Sequence, residues 1–132
     1  MIHDSSKRLG QHFLVSRTVL AQIIAAADLK STDTVLEVGP GTGVLTRELA
    51  RRAGRVVAIE KDGRLAEALR ATLAAEGISN VDLVHGDILR LFESKKQEPE
   101  NSEQDRKRTA DRNLVHWPLF PAHYKVVANI PY

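Results

Sequence analysis

Residues 37–43 read Glu37-Val38-Gly39-Pro40-Gly41-Thr42-Gly43. This stretch ends a short β-branched run, residues 34–38, which predicts a buried strand. Helical apolar spacing begins directly after it at Val44, so the glycines lie where a strand turns into a helix. Glycines let the backbone approach a ligand closely and adopt φ values that other residues resist. The turn therefore predicts an α/β sheet with a ligand site at the end of its first strand.

Alternating helices and strands extend on both sides of this turn. Apolar spacing predicts a first helix over residues 19–27, with Ser16 as its N-cap. A second helix is predicted from Val44, with Gly54 just past its end. A third is predicted over residues 65–76, with Gly77 as its stop. Further strands are predicted at residues 55–60, 81–85 and 125–128. The alternation predicts a parallel sheet with right-handed crossovers and helices on both faces.

The composition is typical of one soluble domain with one modest core. The chain has 132 residues, 42% of them hydrophobic, and no apolar run long enough to span a bilayer. Its first residues lack the apolar stretch of a secretory signal, so a cytoplasmic location is expected. Zero cysteines exclude disulfides, thiol nucleophiles and thiolate metal sites. A net charge of +2 and a pI of about 9.1 permit an anionic partner without requiring one.

A charged segment interrupts the pattern at about residues 93–113. It consists almost entirely of Glu, Lys, Arg, Gln, Asp, Ser and Asn, and it contains Pro99. Such a stretch buries too little apolar surface to offset the entropy of ordering it. We therefore expect a disordered surface insertion within an otherwise folded chain.

The glycine spacing favours S-adenosylmethionine over a dinucleotide. Gly39, Gly41 and Gly43 follow the pattern Gly-x-Gly-x-Gly, and Val44 occupies the position of the third glycine in the dinucleotide pattern Gly-x-Gly-x-x-Gly. Glu37 is unfavourable beside a pyrophosphate but suits a ligand with a positive ammonium or sulfonium group. If the glycines are considered without the acids, a purely structural turn that binds no ligand is the alternative interpretation.

Two further acids follow the next strands. Glu60 ends the second strand, at the edge where ligands of such sheets bind, and its carboxylate can accept from both ribose hydroxyls. Asp87, followed by Ile88, ends the third strand and is expected to accept from the adenine amine of the cofactor. Its alternative role is to cap the turn over residues 88–90. Acids at three successive strand ends, with glycines at the first, favour an adenosylmethionine site.

The last four residues are Asn129-Ile130-Pro131-Tyr132, and they suit attack of a base amine on a methyl donor. That amine is a poor nucleophile because its lone pair is delocalised into the purine ring. The Asn129 oxygen and the Ile130 carbonyl would hold its hydrogens, and Pro131 would fix the turn that aims them. Tyr132 would stack an extruded base. An ordinary X-Pro turn is the alternative.

Together these motifs resemble the ribosomal RNA adenine N6,N6-dimethyltransferases, which modify small-subunit rRNA. The resemblance rests on Lys7-Arg8-Leu9-Gly10-Gln11-His12-Phe13-Leu14, residues 37–46, Ile59-Glu60-Lys61-Asp62, Gly86-Asp87 and Asn129-Ile130-Pro131-Tyr132. It implies the Rossmann-like α/β fold of the class I S-adenosylmethionine-dependent methyltransferases, with residues 1–132 as the N-terminal part of the catalytic domain, truncated after its fourth strand. It also implies the small ribosomal subunit as partner, with no metal and no membrane; a monomer is the favoured state.

The family's functional residues carry over onto matching positions of this chain. The resemblance implies cofactor contacts at His12, Leu14, Gly39, Glu60, Asp87 and Asn129. His12 stands where Asn is commoner, and a neutral imidazole still donates one hydrogen bond. The charged insertion departs from the family pattern. The family also continues beyond the Asn-Ile-Pro-Tyr motif, with further strands and a small helical domain that grips RNA.

Other interpretations stay open. The nearest is the large-subunit rRNA methylase of macrolide resistance, although Gly39-Pro40-Gly41 and Leu45-Thr46 fit the small-subunit group better. The alternative from another class is a non-catalytic factor on the same fold, acting in RNA binding, ribosome assembly or mitochondrial transcription. A third alternative is an inert fragment. With the chain ending at Tyr132, the strand over residues 125–128 becomes an uncovered edge. We therefore expect the isolated chain to be marginally stable and inactive.

Overall fold

The computed structural model describes residues 16–94 and 123–129. Their elements, in chain order, are α1 (Arg17–Ala27), β1 (Thr34–Val38), α2 (Val44–Ala50), β2 (Arg55–Glu60), α3 (Gly63–Ala75), β3 (Val81–His85), α4 (Ile88–Ser94) and β4 (Lys125–Ala128). The four strands coincide with the four predicted from β-branched apolar runs. Within the described ranges, no helix is long and apolar enough to cross a membrane.

The strands form one parallel sheet in the order β3-β2-β1-β4. The chain therefore moves outward from β1 through β2 to β3 and then crosses to the other side of β1. In register, Val38 aligns with both Ile59 and Ala128, so β1, β2 and β4 end at the same edge. The strand order reverses beside β1, and ligands of such sheets bind at the carboxyl ends of the strands at this point.

Helices α1 and α2 cover one face of the sheet. Val35, Val56 and Val127 point to that face from three adjacent strands and pack with Leu45 and Leu49 of α2. Apolar side chains of α1 and of the loop before β1 pack around this cluster: Leu20, Ile23, Ile24, Ala27 and Leu29. On the opposite face, the alternate residues Leu36 and Val57 are also buried.

Local signals account for most helix ends. The Ser16 hydroxyl accepts a hydrogen bond from the Val19 amide at 3.3 Å, which confirms it as the N-cap of α1. Asp62 caps α3 by accepting from the Arg64 amide at 2.9 Å. Gly77 follows α3 with a φ of +69°, the left-handed conformation that ends helices, and this confirms it as the stop.

Two local predictions differ from the structure. Helix α2 ends at Ala50 with Arg51 as its C-cap, so Gly54 is not its stop. A Cβ at Gly54 would lie 2.4 Å from the Ser31 carbonyl oxygen, and close backbone packing therefore explains this glycine. The predicted turn after Asp87 is instead the first part of α4, which extends to Ser94 and includes the first residues of the charged segment. The remainder of that segment lies outside the described residues.

The strand β4 is fastened to α1 by Lys125. Its ammonium donates to the Ala27 carbonyl oxygen at 3.0 Å, at the end of α1, and lies 3.0 Å from Oδ2 of Asp33. Cations near a helix C-terminus satisfy carbonyls that lack helical partners. One side chain thus joins the sheet edge, the end of α1 and the approach to β1.

Candidate functional site

The glycine turn presents an open backbone surface at the end of β1. Gly39, Gly41 and Gly43 all have positive φ, at +70°, +58° and +83°. Two hydrogen bonds of 2.9 Å hold the turn, from the Gly39 amide to the Ile59 carbonyl and from the Gly43 amide to the Pro40 carbonyl. Among the described residues, a Cβ built at Gly39 would meet no atom within 4 Å, which leaves room for a ligand on that side of the turn.

Glu60 lies at the end of β2 beside this turn and is only 6% exposed. Its Oε2 accepts from the Gly41 amide at 3.0 Å, and its Oε1 accepts from the Asp62 amide at 2.9 Å. The carboxylate therefore ties the glycine turn to the start of α3. Each carboxylate oxygen has two lone pairs, so both oxygens retain capacity to accept from ligand hydroxyls.

Glu37 lies beneath the turn and not on its surface, because its side chain points toward α2. The residue is 1% exposed, and burial raises its pKa to about 7; the Thr46 hydroxyl opposes this rise, and the charge of Glu60 adds to it. The Thr46 hydroxyl is near the carboxyl, yet within the described part of the chain neither Oε2 of Glu37 nor Oγ1 of Thr46 has a partner at hydrogen-bond geometry. Glu37 can therefore act on a ligand only through the electrostatic field of its carboxylate, or by direct contact after the turn moves.

Asp87 caps α4 from the end of β3. Its Oδ1 accepts from the Leu89 amide at 3.0 Å, and Lys61 lies 3.2 Å from Oδ2. The Leu89 amide and then Lys61 lower the pKa of the Asp87 carboxyl. The capping role considered from the sequence is therefore present. The carboxylate and the half-buried Ile88 also lie at the same sheet edge as Glu60.

Of the two motifs near the chain ends that contribute to the predicted site, the structure describes only Asn129. Asn129 directly follows β4 and is half-buried, one residue beyond the pair formed by Val38 and Ala128. The structure thus brings together at one edge the candidates Glu37, Gly39, Gly41, Gly43, Glu60, Asp87, Ile88 and Asn129. His12, Leu14, Ile130, Pro131 and Tyr132 lie outside the described residues, and their roles stay predictions.

Sequence inspection missed three contacts around the site. They are the Asp62 cap of α3, the Lys61–Asp87 ion pair, and the bonds that Arg47 makes to Glu76 and to the Thr42 carbonyl. An N-cap signal at Asp62 was available, since an Asp precedes the helical apolar spacing. Arg47 and Glu76 are 29 residues apart, and no local pattern links them. Among the described residues, no three His, Cys, Asp or Glu side chains form a metal site.

Solved structures define the class of this fold. A dimethyladenosine transferase from Plasmodium falciparum is 30% identical, with a TM-score of 0.63 over 92% of this chain and 34% of its own. The 23S rRNA methyltransferase ErmE is 47% identical, with a TM-score of 0.55 over 58% of this chain and 31% of its own. The chain has the Rossmann-like fold of the class I S-adenosylmethionine-dependent methyltransferases.

The family follows from the sequence comparisons. Residues 2–132 match the family described as ribosomal RNA adenine dimethylase, and the chain belongs to that family. It is similar to the ribosomal RNA small subunit methyltransferase A of Dehalococcoides mccartyi, 48% identical over 126 residues, which are 96% of this chain and 35% of the relative. A probable ribosomal RNA small subunit methyltransferase A of Thermococcus sibiricus is 38% identical over 94% of this chain and 34% of its own. The chain spans about a third of the length of these relatives.

Proposed function

We propose that this chain carries the S-adenosylmethionine site and the catalytic motif of an rRNA adenine N6,N6-dimethyltransferase that acts on the small ribosomal subunit in the cytoplasm. One observation carries the proposal. Glu60 is held by the Gly41 and Asp62 amides beside the open side of Gly39, where a ribose can reach a fixed carboxylate. The family match and the relatives named for the small subunit support the same activity.

The proposed reaction is mainly one of positioning. The cofactor supplies a methyl group on a sulfonium centre, and Glu60, Asp87 and the backbone at Gly39 hold its adenosine half. Asn129 and the Ile130 carbonyl accept from the target amine and favour its pyramidal form. Tyr132 stacks the extruded adenine. Holding amine and methyl in line supplies most of the rate enhancement, and the released proton leaves to water.

A second candidate is methylation of large-subunit rRNA. The 23S rRNA methyltransferase ErmE is 47% identical over the part that it shares with this chain, which favours this alternative. The relatives named for the small subunit match a larger share of the chain, up to 96%. Methylation assays with naked small-subunit rRNA, assembled small subunits and large-subunit rRNA as separate substrates distinguish the two. A non-catalytic factor would modify none of them.

Replacing Glu60 by glutamine tests the cofactor site. Glutamine offers one oxygen, so its amide group would face either the Gly41 or the Asp62 amide, donor against donor. We expect adenosylmethionine binding to weaken by roughly 1–3 kcal/mol, the cost of leaving buried polar groups without their partners. Isothermal titration calorimetry measures this, with Glu67→Gln on the exposed face of α3 as the matched control. Unchanged affinity in Glu60→Gln would remove Glu60 from the site.

Replacing Asn129 by alanine tests the catalytic assignment. If Asn129 holds the amine chiefly in the transition state, turnover should fall about ten- to a hundredfold, while RNA affinity changes little. Adenosylmethionine affinity should also drop, since Asn129 is a proposed cofactor contact. The assay uses radiolabelled donor and the longest reading frame that contains this chain. Dimethylation at the normal rate would contradict the amine-positioning role.

A further inference from the structure

Arg47 of α2 contacts the glycine turn at Thr42 and Gly43. On the first turn of α2, its Nε and Nη2 donate to both carboxylate oxygens of Glu76, at 2.7 and 2.9 Å. Its remaining nitrogen, Nη1, donates to the Thr42 carbonyl oxygen at 3.0 Å. One guanidinium therefore joins the end of α3 to a peptide group within the turn, with all three of its nitrogens bonded.

The bonded peptide group is held on both sides. The Thr42 carbonyl belongs to the same planar unit as the Gly43 amide, which donates to the Pro40 carbonyl at 2.9 Å. Rotation of this peptide would break the Arg47 bond and the Pro40 bond together. Glu60 holds the preceding glycine, Gly41, from the β2 side. The turn is thus fixed at two adjacent points by two different side chains.

We propose that Arg47 and Glu76 form a positioning clamp that keeps the glycine turn in its ligand-ready conformation. The identity of the ligand, S-adenosylmethionine, rests on the proposed function; the ordering of the turn does not. Preorganisation of this kind raises affinity because the bound conformation is already populated. Glu76 raises the pKa of Arg47, and Arg47 lowers the pKa of Glu76, so both groups stay charged near neutral pH.

Hydrogen exchange in the absence of ligand tests the ordering directly. We expect Arg47→Ala to speed exchange of the amides in residues 39–44 about tenfold, because the peptide loses one of its two restraints. Arg52→Ala is the matched control: Arg52 lies just beyond the end of α2, and its hydrogen bonds go to the carbonyl and the carboxylate of Glu48. Equal exchange in the two variants would overturn the clamp. Arg47→Lys, whose single ammonium cannot reproduce the three-nitrogen fork, gives the same comparison should alanine prevent folding.

A charge exchange separates the clamp from an ordinary ion pair. Arg47→Glu combined with Glu76→Arg restores opposite charges between α2 and α3, but a glutamate at position 47 cannot donate to Thr42. We expect melting temperature to recover in the double variant while exchange of the turn stays fast. Recovery of both would overturn the clamp, since the ion pair alone would then suffice.

Measurements of adenosylmethionine binding then test whether the clamp contributes to cofactor affinity. In Arg47→Ala, made in the longest reading frame that contains this chain, we expect the adenosylmethionine Kd and KM to rise about tenfold with kcat nearly unchanged, the pattern of lost uniform binding. Arg52→Ala should leave all three unchanged. A parent protein that binds no adenosylmethionine would overturn the proposed function, and the exchange experiment would still decide the clamp. Parent binding with equal Kd in both variants would overturn the clamp's role in cofactor affinity.

Discussion

Replacing Gly43 by alanine should destabilise the chain by about 2–5 kcal/mol, for two separate reasons. Gly43 has a φ of +83°, a conformation that disfavours residues with a Cβ. A Cβ there would also lie 2.3 Å from Cδ1 of Leu69 and 3.0 Å from Nη1 of Arg47. Leu69 is 2% exposed, so it has little room to move away. Loss of cofactor binding should accompany the loss of stability, because the turn itself is displaced.

The control for Gly43 isolates the steric part of this effect. Gly77 has a φ of +69°, but a Cβ built on it would meet nothing within 4 Å. Gly77→Ala should therefore lose only the backbone contribution, about 1–2 kcal/mol. Urea denaturation at constant pH measures both variants against the parent protein. Equal losses at the two positions would show that Leu69 and Arg47 do not restrict Gly43.

Replacing Glu37 by glutamine should stabilise the chain at alkaline pH and leave it unchanged in acid. Burial raises the pKa of Glu37 in the folded state from 4.5 to about 7, so the folded chain holds this proton more tightly than the unfolded chain. Below the unfolded pKa both states are protonated and no penalty exists. As pH rises toward 7, stability falls, and above 7 the full penalty of roughly 3 kcal/mol remains. Glutamine removes it.

Denaturation midpoints at pH 4 and pH 8 check this prediction. The exposed Glu67→Gln variant serves as the control and should show no such divergence. A parent protein and Glu37→Gln variant with the same pH profile would contradict a buried, proton-binding Glu37. Under the proposed function, the same variant should bind adenosylmethionine more weakly at pH 8, since a neutral amide no longer attracts the ammonium and sulfonium charges. Greater stability combined with weaker binding would show that Glu37 lowers the stability of the chain and raises its affinity for the cofactor.

The sequence by itself determined the strands and the order of the site motifs. The four strands and the caps at Ser16 and Gly77 depend on residues that are close along the chain, so propensity and periodicity suffice to predict them. The glycine turn and the acids at Glu60 and Asp87 were likewise recognisable, because each lies at the end of a strand or within two residues of it. In a parallel sheet, residues that follow adjacent strands meet at one edge. Because of that rule, motifs that are far apart in the sequence could be predicted to form one site.

The tertiary structure alone decided how these residues are employed. It buries Glu37 under Thr46, engages Asp87 in capping α4, and gives Glu60 two backbone partners. It also joins Arg47 to Glu76 and Thr42 across 29 residues of sequence. Burial, pKa and long-range hydrogen bonds depend on which elements pack together. Single residue types and their spacing carry no record of that packing, because the same carboxylate can line a ligand site, cap a helix or lie protonated in a core.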